Sequence, residues 1–153
     1  MSEGQNDEGL PEEQKHLLAS VLDEIVPASE KGRLPGAGEI GVTAYIEAMF
    51  LKMPELAAMV SQGLADLDAA ARQRHGREFT VLSRSEKLEL LNQHGFVFAL
   101  TLHAYAGYYQ QPRVLAGLGV EPRPPHPAGY EMEENDFSLL DPVRAREKMY
   151  RRV

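Results

Sequence analysis

Apolar residues recur at helical spacing in five stretches of this chain, each bounded by proline, glycine or a capping residue. In the first, Leu17, Leu18, Val21, Leu22 and Ile25 fall at steps of three and four, which marks one face of a helix. Pro11 suits its first turn, Glu12 and Glu13 suit its positive end, and Pro27 closes it. The glycines and prolines of residues 28–41 read as a loop. Val42, Tyr45, Ile46, Met49 and Phe50 predict a second helix over about 39–52. Pro54 opens a third, long helix carrying Leu56, Met59, Val60, Leu64 and Leu67, with Gly76 as its stop. Ser83 and Glu86 have the spacing of a capping box, so a fourth helix is expected over about 84–94 with Leu88 and Leu91 inward. Phe96, Val97, Leu100, Ala104, Gly107 and Tyr108 mark one stripe of a fifth. No strand pattern and no internal repeat stands out.

Beyond the fifth helix the pattern changes. Pro112 is expected to stop it, and Pro122, Pro124, Pro125 and Pro127 then hold the chain extended, because each fixes φ and removes a backbone donor. An acidic patch follows at Glu131, Glu133, Glu134 and Asp136, and the last helical turns carry Arg144, Arg146, Lys148, Arg151 and Arg152. The expected fold class is all-α: a small irregular bundle of about five helices with a long Pro/Gly-rich C-terminal arm. The expected division is a disordered leader over 1–10, a helical domain over 11–112, and an extended arm with a short basic helix over 113–153.

The arm is the most distinctive segment. Tyr105, Tyr108 and Tyr109 precede it, and Gly129-Tyr130 closes its proline run. Backbone that cannot pair with itself, flanked by amphipathic rings, is better suited to lying on another surface than to building a core. The partner-binding candidates are therefore Tyr105, Tyr108, Tyr109, Pro112, Pro125, Pro127, Gly129 and Tyr130. For Tyr105 and Tyr108 a place in the domain's own core is an equal expectation.

At 153 residues and 43% hydrophobic content the chain can bury an ordinary core. It has no cysteine, which rules out disulfides, thiolate metal sites and thiol nucleophiles. The net charge of −7, with 23 acidic residues against 16 basic ones, argues against a nucleic-acid partner. Arg72, Arg74, His75 and Arg77 cluster near a helix C-terminus, where they complement its dipole. No segment reaches the roughly 18 apolar residues of a membrane span, so direct membrane insertion is not expected. The acidic N-terminal stretch shows neither a secretory pattern nor a twin arginine, which leads to a cytoplasmic expectation.

Catalytic signatures are sparse. A carboxylate-bridged di-metal centre needs two Glu-x-x-His pairs; Glu13 and His16 supply one, in a polar first turn. His94 beside Gly95 reads as a helix C-terminal residue, and His103 as a core-edge or interface residue. No serine lies in a Gly-x-Ser-x-Gly elbow. Neither Gly32–Gly38 nor Gly117-Leu118-Gly119 follows a strand in the way that a nucleotide-binding loop does. No cofactor is expected in this chain.

Several stretches also carry a family resemblance. Leu17–Pro27 is similar to the opening helix of the gluconate 2-dehydrogenase subunit 3 family, and Gly36–Ile46 to its Gly-rich turn into a second helix. Gly63–Glu78, with Phe79 and Leu82–Glu86, resembles its central segment and Leu-Ser-x-x-Glu helix start. Leu100–Pro112 and Pro127–Tyr130 resemble its closing aromatic helix and Pro-Gly-Tyr ending, here Pro127-Ala128-Gly129-Tyr130. The resemblance runs over about residues 15–130. It implies an all-helical, non-catalytic accessory subunit of a flavin-dependent, membrane-associated sugar or polyol dehydrogenase. The large partner, of the glucose–methanol–choline type, would hold FAD, oxidise the substrate and mature with the help of this subunit. Many members carry a twin-arginine signal that this sequence lacks. Two other readings stand beside it: a stand-alone helical domain that binds a small ligand, and an adaptor unrelated to flavoenzymes.

Overall fold

The computed structural model describes residues 9–122 and 136–147. They fall into two units, one ending at Pro122 and one beginning at Arg123. Among the described residues there are helices and turns but no strand.

In the first unit α1 spans Glu12–Ile25, with Pro11 ahead of it and Glu12 and Glu13 in the first turn. Leu17, Leu18, Val21 and Leu22 are buried, the face that the spacing marks. The following loop is held against α1 by polar contacts. The Gly38 N–H donates to Asp23 Oδ1 at 2.7 Å, and a Cβ on Gly38 would lie 2.3 Å from the Ala19 carbonyl oxygen. Only glycine lets the backbone come so close. Burial pushes the Asp23 carboxyl upward, against the pull of that N–H.

Helix α2 spans Val42–Phe50 after a 3-10 turn at Ala37–Glu39. The helix expected over 39–52 therefore starts later, with Glu39 in the 3-10 turn and Ile40 and Gly41 leading into α2. Helix α3 spans Pro54–His75 and ends at Gly76, whose φ of 65° is the left-handed helix stop. Arg72, Arg74 and His75 occupy its last turn, as the charge pattern predicts. Arg72 pairs with Asp68 at 2.8 Å and Glu78 at 3.0 Å, Arg74 with Glu89 at 3.1 Å and Arg77 with Glu86 at 3.0 Å. Asp68 also accepts from the Phe79 N–H at 3.1 Å, which fixes the turn that buries the Phe79 ring completely.

Helix α4 spans Arg84–Leu91 and opens on the full capping box of Ser83 and Glu86. It is shorter than expected, and its inner residues are Leu90 and Leu91, with Leu88 exposed. Only the last turn of so short a helix reaches the core, so adjacent residues there replace the i, i+3 pair. His94 follows, its Nδ1 bonded to the Leu90 carbonyl at 2.8 Å.

Helix α5 spans Phe96–Tyr108 and buries Phe96, Leu100, Ala104, Gly107 and Tyr108. Two glycines act as sockets for rings. A Cβ on Gly63 of α3 would lie 2.4 Å from the Phe96 ring, and one on Gly107 would lie 2.6 Å from the Tyr45 ring of α2. These close approaches let α5 pack against both α2 and α3, while α1 packs against all three.

The chain does not become an extended arm at 113. Pro112 opens a sixth helix, α6, over Pro112–Leu118, closed by Gly119 at φ 77°. Proline both ends a preceding helix and favours the first position of the next, and here it does both. Val114 of α6 is fully buried, and Arg33 of the loop donates to the Gly117 carbonyl at 2.8 Å.

The described part of the second unit is a 3-10 turn at Phe137–Leu140 that runs into α7, Asp141–Arg144. Asp136 caps the turn by accepting from the Ser138 N–H at 2.9 Å. Pro124, Pro125 and Pro127 of the proline run expected to be extended, and the basic residues after Glu147, lie outside the described residues.

Candidate partner interface

Helix α5 is apolar on both sides. Opposite its buried stripe run Phe98, Leu102, Tyr105 and Tyr109, at steps of four, three and four. Their exposures are 89%, 72%, 45% and 52%. The row is about 16 Å long at 1.5 Å per residue. A helix apolar all round is normally covered on all sides, yet in this unit the outer row faces outward. Isolated exposed apolar residues are ordinary, whereas an aligned row of them makes a candidate contact surface.

The electrostatics agree. From Leu90 to Pro112 the chain carries no Asp, Glu, Lys or Arg, the charge depletion typical of an interface centre. Tyrosine contributes apolar area and a polar tip together. The Tyr105 and Tyr109 rings lie 6.4 Å apart, and the Tyr108 ring meets Tyr109 edge to face at 5.3 Å.

The residues singled out in the sequence separate here. Tyr105 and Tyr109 are on the outer face. Tyr108, next to Tyr109 in sequence, turns inward and is only 2% exposed, its hydroxyl donating to the Pro35 carbonyl at 2.9 Å. Burial pushes the Tyr108 phenol up, with Tyr109 acting in the same direction. It is a core residue. Pro112 is exposed at the start of α6. Pro125, Pro127, Gly129 and Tyr130 lie outside the described residues. Phe98 and Leu102, the most exposed members of the row, were absent from the sequence candidates. Their spacing from Tyr105 and Tyr109, within a charge-free stretch, is the signal that marks them.

Elsewhere, a cleft of about 620 Å³ is lined among others by Glu13, His16, Asp68, Arg72, Glu78 and Thr80. Its charged groups serve one another, since Arg72 is held by both Asp68 and Glu78. Glu13 and His16 are exposed on the first turn of α1. Among the described residues no group of three or more His, Asp or Glu is placed to hold a metal ion. No helix there is long and apolar enough to cross a membrane.

The family model described as gluconate 2-dehydrogenase subunit 3 matches residues 12–96, more than half of the chain. The chain belongs to that family. The match covers α1 through α4 and reaches the first residue of α5, a shorter span than the 15–130 that the sequence motifs suggest. The outer row of this gluconate 2-dehydrogenase subunit 3 family member begins two residues beyond it, at Phe98. No curated protein and no solved structure matches the chain. The family name marks its members as subunits of a dehydrogenase complex, which calls for a surface that a larger subunit can cover.

Proposed function

We propose that this chain is a non-catalytic subunit that stabilises or matures an FAD-dependent dehydrogenase acting on the CH–OH groups of sugars or polyols. The catalytic subunit, of the glucose–methanol–choline type, holds the FAD, and this chain carries none. The observation that carries the reading is the outer face of α5, an uncharged row of two aliphatic or aromatic side chains and two tyrosines in a family named as a dehydrogenase subunit. Covering that face favours the folded, flavin-loaded state of the partner by mass action, because the folded partner alone presents the matching surface.

The test is co-expression with the flavoprotein subunit and capture on a tag carried by this chain. The captured complex is expected to show flavin absorbance and dye-linked gluconate or polyol dehydrogenase activity, while this chain purified alone is colourless and inactive. Leu102→Glu places a charge in the middle of the row and is expected to abolish capture with the melting temperature unchanged. Stoichiometric flavin in the isolated chain, or equal flavin loading of the partner with and without it, overturns the reading.

A further inference from the structure

The Gly36-Ala37-Gly38 stretch closes around one carboxyl group. Asp23 lies half-buried in the last turn of α1. A Cβ on Gly36 would lie 2.3 Å from its Oδ1, and one on Gly38 would lie 2.7 Å from its Oδ2. Such an approach needs glycine at both places. The cradle supplies one donor, the Gly38 N–H to Oδ1 at 2.7 Å. Among the described residues no hydrogen bond reaches Oδ2. The Ala19 carbonyl oxygen borders the same point beside Gly38, so two oxygens that only accept hydrogen bonds crowd one place.

The surrounding charges do not favour an ionised Asp23. The last turn of α1 is the negative end of its dipole and carries no basic residue. Glu39, in the 3-10 turn, adds a like charge. The cations of α4 are engaged elsewhere: Lys87 with Ser20 at 3.0 Å and Glu24 at 3.8 Å, Arg84 with Glu24 at 3.6 Å. Burial and then Glu39 push the Asp23 carboxyl above its ordinary 3.8, against the Gly38 N–H and the more distant Lys87.

We propose that Asp23 is a proton-operated clasp: with its carboxyl neutral the loop after α1 is gripped, and with it ionised the grip loosens. Oδ1 keeps the Gly38 N–H in both states. Protonation removes a half-buried charge and its repulsion from Glu39, and it makes a donor of an oxygen that has an acceptor beside it. A carboxyl raised on folding contributes stability that is fully present below 3.8 and lost as pH rises through the raised value. The clasp bears on more than its own loop. Pro35, next to Gly36, accepts from the Tyr108 hydroxyl, and Arg33 donates to the Gly117 carbonyl. Acid therefore firms the tie to the end of α5, beside Tyr109, whatever surface covers the outer row.

The experiment uses the full chain. Asp23→Asn keeps an oxygen for the Gly38 N–H and drops the charge. It is expected to melt above the wild type at neutral pH, with the gap closing as pH falls below 3.8; all other carboxyls are common to both chains. The Gly38 amide of the wild type, corrected for intrinsic exchange, should exchange more slowly in mild acid than at neutral pH, and Asp23→Asn should lose that dependence. Glu39→Gln should raise the neutral-pH melting temperature more in the wild type than in Asp23→Asn, because interacting neighbours are not additive. Asp23→Asn melting below the wild type at neutral pH, or a gap that does not change with pH, overturns the clasp: the ionised carboxylate would then be the better partner for Gly38. The unaltered chain gives an independent reading, since an Asp23 carboxyl carbon signal that titrates at or below 3.8 overturns it as well.

Discussion

Tyr108 and Tyr109 are identical side chains one position apart, and they do opposite things. Neighbouring helical residues point about 100° apart at 3.6 residues per turn, so one ring closes the core while the other joins the outer row. The Tyr108 hydroxyl donates to the Pro35 carbonyl in a buried setting. Tyr108→Phe would leave that carbonyl unpartnered, at a cost of about 1–3 kcal/mol. Tyr109→Phe, at a half-exposed position, is expected to be nearly silent in the same urea titration and to show its effect only in partner binding. Equal losses from the two substitutions would mean that the hydroxyl of Tyr108 does not hold the loop. The sequence offered the three tyrosines as one cluster because type alone says nothing about direction. Direction follows from the phase of the whole helix, which the buried positions Leu100, Ala104 and Gly107 set.

At the scale of elements, starts and stops were the most legible feature, because each rests on local chemistry. Pro54, Gly76 and the Ser83–Glu86 box all act where the sequence put them. Helix α6 was not legible, since a proline read only as a stop hides the helix it opens. The outer row of α5 was not legible either: a helix apolar on both faces has no polar side to reveal which stripe is inward. The capping box gives a prediction at this scale. Hydrogen bonds from the Ser83 hydroxyl and N–H, with Arg77 and His75 nearby, hold the Glu86 carboxyl below its ordinary value of 4.5. A carboxyl lowered on folding stabilises the fold at pH values above 4.5, and that contribution is lost as pH falls through the lowered value. Glu86→Ala should therefore reduce the melting temperature at neutral pH and make progressively less difference in acid well below 4.5. A melting-temperature deficit that stayed constant with pH would assign the loss to packing instead.

At the scale of the molecule, the helical unit is closed by contacts between distant parts of the chain. The loop after α1 is tied to Tyr108, 73 residues from its partner Pro35, and to Gly117, 84 residues from Arg33. Val114 completes the same core. A chain ending at Gly107 is expected to show no cooperative thermal transition, whereas one ending at Pro122 should melt in a single step. A cooperative transition in the shorter chain would show that the fold closes without Tyr108 and α6. All-α class and a core built on α1, α3 and α5 could be read from periodicity. That the loop over 26–41 is bolted to the far end of the chain could not, because no local pattern encodes a bond across that separation.

Those long separations bear on how the protein is made. At about 5–20 residues per second, a ribosome that has just added Pro35 needs roughly 4–15 seconds to reach Tyr108. For that interval the loop after α1 has no ring to close over it, and the side of α1 that α5 covers stays open. Helix α5, when it arrives, brings the side that seals this waiting half and, in the same few turns, the side left open for a second polypeptide. Completion of the nascent fold and readiness for assembly are thus delivered by one stretch of messenger, so an unfinished chain has no complete row with which to recruit a partner.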